Sequence, residues 1–123
     1  MVKILLIEDD NLLQKLYRDK LIDEGFEVAV AGSGEKGLDL VKSQKFDLIL
    51  LDIILPGGIN GFDVLEILKR DQTLSQIPVI VLTNLDSEEK VALEIGAVDY
   101  FRKTKVLPNQ IVARIKKILI KKE

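Results

Sequence analysis

Five apolar runs of strand length recur along the chain: Val2 to Ile7, Glu27 to Ala31, Asp47 to Leu51, Pro78 to Leu82 and Val98 to Arg102. Between them the apolar spacing turns helical. Leu12, Leu13, Leu16, Tyr17 and Leu21 share one face of a first helix, and Ile111, Ile115, Ile118 and Leu119 stripe the last one. Runs such as ILLI (4–7) and LILL (48–51) contain no polar residue, which suits strands buried on both faces. A strand-helix unit repeated five times therefore predicts a doubly wound α/β fold, (βα)5, with a parallel five-stranded sheet between two helical layers.

Punctuation agrees with this division. Gly25 and Gly96 stand where helices should end, Asp86 with Glu89 has the spacing of a capping box opening the fourth helix, and Pro56 to Gly61 reads as a loop between third strand and third helix. With 123 residues, 47% of them hydrophobic, there is enough apolar material for one core, and residues 1–123 are expected to form one domain. No apolar run approaches the roughly 18 to 20 residues of a membrane span, and residues 1–10 lack a basic start with a cleavable apolar stretch, so a cytoplasmic protein without membrane contact is expected.

Composition then removes several chemistries. With neither cysteine nor histidine, the chain has no disulfides, thiolate nucleophiles, serine-histidine triads or HExxH zinc sites. Its net charge of -2 argues against general nucleic-acid binding. From Arg102 to Glu123, however, eight cations (Arg102, Lys103, Lys105, Arg114, Lys116, Lys117, Lys121, Lys122) face one anion. The simpler reading places them favourably at the end of a helix dipole; the alternative is a partner-binding patch.

The chemistry gathers where strands end. In an open parallel sheet, ligands bind beyond the carboxyl ends of strands, at the point where strand order reverses. The first strand finishes in Glu8-Asp9-Asp10, the third in Asp52, the fourth in Thr83 and the fifth in Lys103. In strand order 2-1-3-4-5 these would surround one crevice. Three carboxylates within about 4 Å of one another repel by roughly 4 kcal/mol per pair at an effective dielectric near 20, which calls for a cation among them. Magnesium suits such a site, because it takes oxygen ligands and commonly uses one or two carboxylates plus a phosphate. Asp9 and Asp52 would supply the carboxylates, the Ile54 backbone carbonyl another position, and Glu8 would act through a water. Asp52 then becomes a nucleophile for in-line attack on phosphorus, with Lys103 and the Thr83 hydroxyl holding phosphoryl oxygens.

Taken singly, most of these residues have plainer roles. Asp10 reads best as a helix cap and Asp9 equally as cap or ligand. Thr83 is an ordinary strand residue and Lys103 a solvated lysine. Asp52 resists this treatment, since it ends an apolar run and no helix starts before about Gly61.

At these positions the whole chain resembles the response regulator receiver family, through ILLIEDDNLL, FDLILLDIILPGGINGFDVL, IPVIVLTN and GAVDYFRK. The resemblance implies a flavodoxin-like three-layer sandwich and a magnesium-dependent phosphoacceptor, Asp52, with Glu8 and Asp9 as the acidic pocket. It further implies Thr83 as switch hydroxyl, Lys103 as phosphoryl contact and Tyr100 as switch aromatic, though a plain strand aromatic is the alternative for Tyr100. The expected partners are a sensor histidine kinase or phosphotransfer protein upstream and an effector protein or output domain downstream. The chain would catalyse only its own phosphorylation and dephosphorylation, as a monomer or a phosphorylation-dependent dimer. Phosphate on Asp52 would draw Thr83 inward, the Tyr100 ring would enter the vacated space, and the face of helix four, strand five and helix five would change, with Val91, Tyr100 and Arg102 on it.

The chain departs from the family pattern in four places. Thr104 replaces the proline that usually follows Lys103 across a cis bond, so either a strained cis peptide or a different lysine approach is expected. The loop 56–61 is one residue longer, and Asn84 replaces a small residue in a position to narrow access to Asp52. Ile54 and Leu85 offer no polar group to orient water, so slow self-dephosphorylation is expected. Two rivals stand beside this reading. Gly32 to Gly37 matches GxGxxG after a strand, with Asp52 fifteen positions on, as in a dinucleotide-binding domain, although Gly32 and Gly34 read more simply as turn glycines and Ser33 as a cap. The other is an interaction module that keeps the fold without phosphorylation.

Overall fold

The computed structural model describes residues 1–120. Strands β1 (Lys3–Ile7), β2 (Glu27–Ala31), β3 (Leu48–Leu51), β4 (Val79–Thr83) and β5 (Asp99–Arg102) form one wholly parallel sheet in the order β2-β1-β3-β4-β5. Helices α1 (Asn11–Asp23), α2 (Gly34–Ser43), α3 (Gly61–Arg70), α4 (Glu89–Ile95) and α5 (Pro108–Ile120) cover its two faces, giving the expected three layers.

Strand parity decides which side chain meets which layer. Ile4, Leu6, Leu48, Leu50, Ile80 and Leu82 pack with Tyr17 and Leu21 of α1 and Ile111, Val112 and Ile115 of α5. Their sequence neighbours Leu5, Ile7, Ile49, Leu51, Val79 and Val81 face α2, α3 and α4 through Leu38, Val41, Val64, Leu65, Leu68 and Ala92. The unbroken apolar runs are thus one residue inward to each core in turn. Edge strand β2 is only half-buried and correspondingly carries Glu27.

Several details differ from the sequence reading, among them the starts of β1, β3 and β5, which lie one residue inside their runs at Lys3, Leu48 and Asp99. Strand β4 starts at Val79, not Pro78, because proline has no N–H for the ladder, although its carbonyl still accepts from the Ile49 amide at 3.0 Å. Helix α4 begins at Glu89 after Glu88 with no side-chain cap, so Asp86 lies too far upstream to close a capping box, and its carboxylate instead faces Arg102 at 3.8 Å. The capping box belongs to α3, where the Asp63 amide donates to Asn60 Oδ1 at 3.0 Å and the Asn60 amide to Asp63 Oδ2 at 2.9 Å. Gly25 and Gly96 do close α1 and α4, at φ +93° and +136°. Of the cations near the carboxyl end, Arg114 binds Asp99 of β5 at 2.6 Å, fastening α5 to the sheet, and Lys116 binds Glu24 after α1 at 2.8 Å, fastening it to that helix; Lys121 and Lys122 lie outside the described residues.

Candidate functional site

The ladder runs one residue past several strands, and that extension fixes the rim. The Glu8 amide donates to the Ala31 carbonyl, Asp52 to Ile7 and Lys103 to Thr83, at 3.0, 3.0 and 2.9 Å. Each side chain therefore leaves a rigid backbone at the carboxyl edge of the sheet.

There Glu8, Asp9 and Asp52 offer carboxylate oxygens that all lie within 4.8 Å of one another. Glu8 and Asp52 are buried and Asp9 is exposed. The Lys103 ammonium sits between the buried pair, 2.8 Å from Asp52 Oδ2 and 2.5 Å from Glu8 Oε1. The second contact is a charge pair without hydrogen-bond alignment, since Glu8 Oε1 has no hydrogen-bond partner. Glu8 Oε2 accepts from the Asp10 amide at 3.1 Å, and Asp52 Oδ1 from the Ile54 amide at 3.2 Å. Asp10 also caps α1, accepting from the Leu13 amide at 3.0 Å, which leaves Asp9 available to the acidic group.

Charge follows from this packing. Burial pushes the Glu8 carboxyl above its usual range, against the pull of Lys103 and the Asp10 amide. The same burial opposes the charged form of Lys103, but Asp52 and Glu8 together outweigh it, and the ammonium is held above its usual value. Two like charges and one counter-charge thus share a dry corner, an arrangement that is costly unless fully paired.

Glycine lets α3 approach this corner. A Cβ on Gly61 would lie 2.1 Å from the Asp52 carbonyl oxygen and 2.5 Å from Ile53 Cα, so only glycine can open the helix there. The GxGxxG segment is also used in packing: a Cβ on Gly37 would fall 2.4 Å from Ile7 Cδ1, and one on Gly34 would meet Val64 at 2.9 Å. Gly34 is consequently the buried first residue of α2 rather than a turn glycine, and Ser33 caps that helix through the Lys36 amide at 3.2 Å.

Thr83 is fully buried, and its hydroxyl has no hydrogen-bond partner among the described residues. Tyr100 differs from expectation, for its ring already lies inside, 7% exposed, with its hydroxyl donating to the Leu85 carbonyl. That bond satisfies the one polar atom of an otherwise apolar ring and accounts for its burial. Of the expected output face, Val91 is exposed and Arg102 is half-buried. No cis peptide occurs among the described residues, so Lys103 reaches both carboxylates across a trans bond to Thr104. Ile54, Asn84 and Leu85 flank the corner, the first two exposed. Sequence reasoning missed the Gln14 side chain, which donates to the Glu8 carbonyl, and Glu35, which binds the loop after Asp52. Neither carries a local sequence signal.

A family model for the response regulator receiver domain matches residues 4–116. The chain belongs to that family. It is 43% identical to the transcriptional regulatory protein AfsQ1 of Streptomyces coelicolor, with 97% of this chain and 52% of the relative covered, and 44% identical to CpxR of Escherichia coli K12, with 97% and 50% covered. The receiver therefore spans about half the length of the curated relatives it matches. Among solved structures, a Francisella receiver domain superposes with a TM-score of 0.92 at 26% identity over the whole of both chains. The BeF3-activated receiver domain of Klebsiella pneumoniae RstA gives 0.87 at 34% identity, covering 95% of this chain and 97% of that one. Phosphorylation-based switching is the general function of receivers, and they bind magnesium at an acidic pocket.

Proposed function

We propose that residues 1–123 form one receiver domain in which Asp52 accepts a phosphoryl group from a sensor histidine kinase or phosphotransfer protein. One observation carries the reading: three carboxylates converge within 4.8 Å, and an ammonium wedges between the two buried ones. The donor set fits magnesium, being all oxygen and gathered within 4.8 Å. Asp9, Asp52 and the Ile54 carbonyl would hold the ion, with Glu8 acting through a water. When bound, it supplies positive charge to the carboxylates and to the oxygens of the transferring group.

An Asp52 carboxylate oxygen attacks phosphorus as the phosphorus-nitrogen bond of the donor histidine breaks, and the bonding electrons return to the imidazole nitrogen. Lys103, already on Asp52 Oδ2, follows the phosphoryl oxygens as a compact cation. Thr83 gains in that group the acceptor its hydroxyl lacks. Nothing beyond the chain's own phosphorylation and dephosphorylation is catalysed, and the apolar Ile54 and Leu85 leave attacking water unoriented. The face of α4, β5 and α5 then addresses an effector protein or output domain, in the cytoplasm, as a monomer or a phosphorylation-dependent dimer. A relative at 39% identity is described as the DNA-binding response regulator MtrA of Mycolicibacterium smegmatis; this chain covers 52% of it, and we assign no DNA contact to the receiver itself.

Incubation with magnesium and acetyl phosphate should add one phosphoryl mass that hydroxylamine removes. Chelation and Asp52→Asn should each abolish the gain, and wild-type protein that stays unmodified would overturn the reading. A phosphorylation-independent module is the second reading, favoured by the inward Tyr100 alone.

A further inference from the structure

The segment that joins Asp52 to α3 is held from outside the acidic corner. Glu35, on the first turn of α2, accepts a hydrogen bond from the Gly58 amide at Oε2, 3.2 Å away. Gly57 adopts φ +91°, and a Cβ there would stand 3.0 Å from the same oxygen, so the turn lies flat against the carboxylate. Beside it, a Cβ on Gly34 would meet Ile59 Cγ1 at 3.0 Å and Val64 Cγ2 at 2.9 Å, placing the start of α2 directly on both loop and α3. Among the described residues, the backbone of residues 55–59 makes no other hydrogen bond. Glu35 thus meets the loop, the start of α2 meets both the loop and α3, and α3 meets the Asp52 carbonyl at Gly61.

We infer that Glu35 is a positioning residue for the Asp52 site: its carboxylate holds the Gly57-Gly58 turn and so keeps Ile54 in place beside Asp52. The inference rests on the functional reading above, because the place of Ile54 matters through the carbonyl it would give to magnesium. Two adjacent glycines have wide conformational freedom, and losing the one hydrogen bond to their backbone loosens the segment between the packed Leu55 and Ile59, so that the ion meets a less ordered Ile54 carbonyl.

The test uses the full chain as wild type, Glu35→Ala and Glu35→Gln. Amide exchange at Gly58 is read without magnesium or phosphodonor, magnesium affinity is read by titrating the Ile54 amide resonance, and acetyl phosphate turnover is read at saturating magnesium. Glu35→Ala should speed Gly58 exchange and raise the magnesium midpoint, each about three- to tenfold, as loss of one modest hydrogen bond implies. Its phosphorylation rate at saturating magnesium should stay within about twofold, since only the assembly of the site is impaired. Glu35→Gln keeps an acceptor oxygen without the charge and should match wild type in exchange and midpoint. A Glu35→Ala midpoint equal to wild type would overturn the inference, as would a Glu35→Gln shift as large as that of Glu35→Ala, which would mark a plain charge effect. Wild-type protein that binds no magnesium overturns the functional reading itself and takes this inference with it.

Discussion

At the amino-terminal end of the sheet, the Lys3 amide donates to Asp47 Oδ2 at 2.8 Å, the Asp47 amide returns a bond to the Lys3 carbonyl at 2.8 Å, and Lys69 Nζ donates to the carbonyls of Ser75 and Ile77 at 3.1 and 2.9 Å. At the carboxyl end, Thr83 Oγ1 is buried without a hydrogen-bond partner among the described residues, and the buried Glu8 and Asp52 carboxylates share one ammonium. The same strand-helix repeat builds both ends, so topology does not explain the contrast; the residues that follow each strand do. A buried group left unsatisfied costs about 1–3 kcal/mol, and folds concentrate such costs where a ligand can relieve them.

Removing Lys103 should deepen the contrast most. Lys103→Met leaves Glu8 and Asp52 as uncompensated buried charges and should cost about 3–5 kcal/mol in urea unfolding, part of it restored by magnesium. Lys69→Met, at the satisfied end, should cost about 1 kcal/mol and ignore magnesium. Equal losses would dissolve the comparison.

Thr83→Val should go the other way. Exchanging an orphan hydroxyl for a methyl group should stabilise the resting protein by about 1 kcal/mol, while the change in Tyr100 resonances on phosphorylation is lost. Asn60→Ala probes a satisfied pair on the same end: breaking the α3 capping box should cost about 1 kcal/mol in thermal unfolding.

The smallest effect is read by pH. Burial, and then the carboxylates of Glu88 and Asp86, hold the Tyr100 phenol above the usual value of 10.0, and burial raises Tyr17 as well, against the pull of Lys103. Above pH 10.0 the folded protein keeps protons that the unfolded chain has lost, so this contribution is present below that pH and fades as pH rises through the folded values. Absorbance titration should show no phenolate step at 10.0 in native protein, and Tyr100→Phe should leave only the Tyr17 step.

Sequence pattern carried the fold because a strand buried on both faces leaves no room for polar residues, and the runs at 4–7 and 48–51 have none. Position at strand ends likewise put Glu8, Asp52 and Lys103 in contact, since a parallel sheet delivers every carboxyl end to one edge. What stayed hidden depends on contacts between distant residues or on side-chain rotation. Asp86 and Asn60 both have a carboxylate three residues on, and only the point at which the helix starts tells them apart. The inward Tyr100 depends on a carbonyl fifteen residues away, and the grip of Glu35 spans twenty-three.

Gly61 gives the corner one stiff wall. With no space for even a methyl group between α3 and the Asp52 carbonyl, the end of β3 and the start of α3 are held at one fixed spacing. On the same face of the sheet, α4 is seven residues long and lacks a side-chain cap, so its first turn is the less firmly held of the two helix starts. One missing side chain thereby sets how closely a helix can stand over the end of a strand.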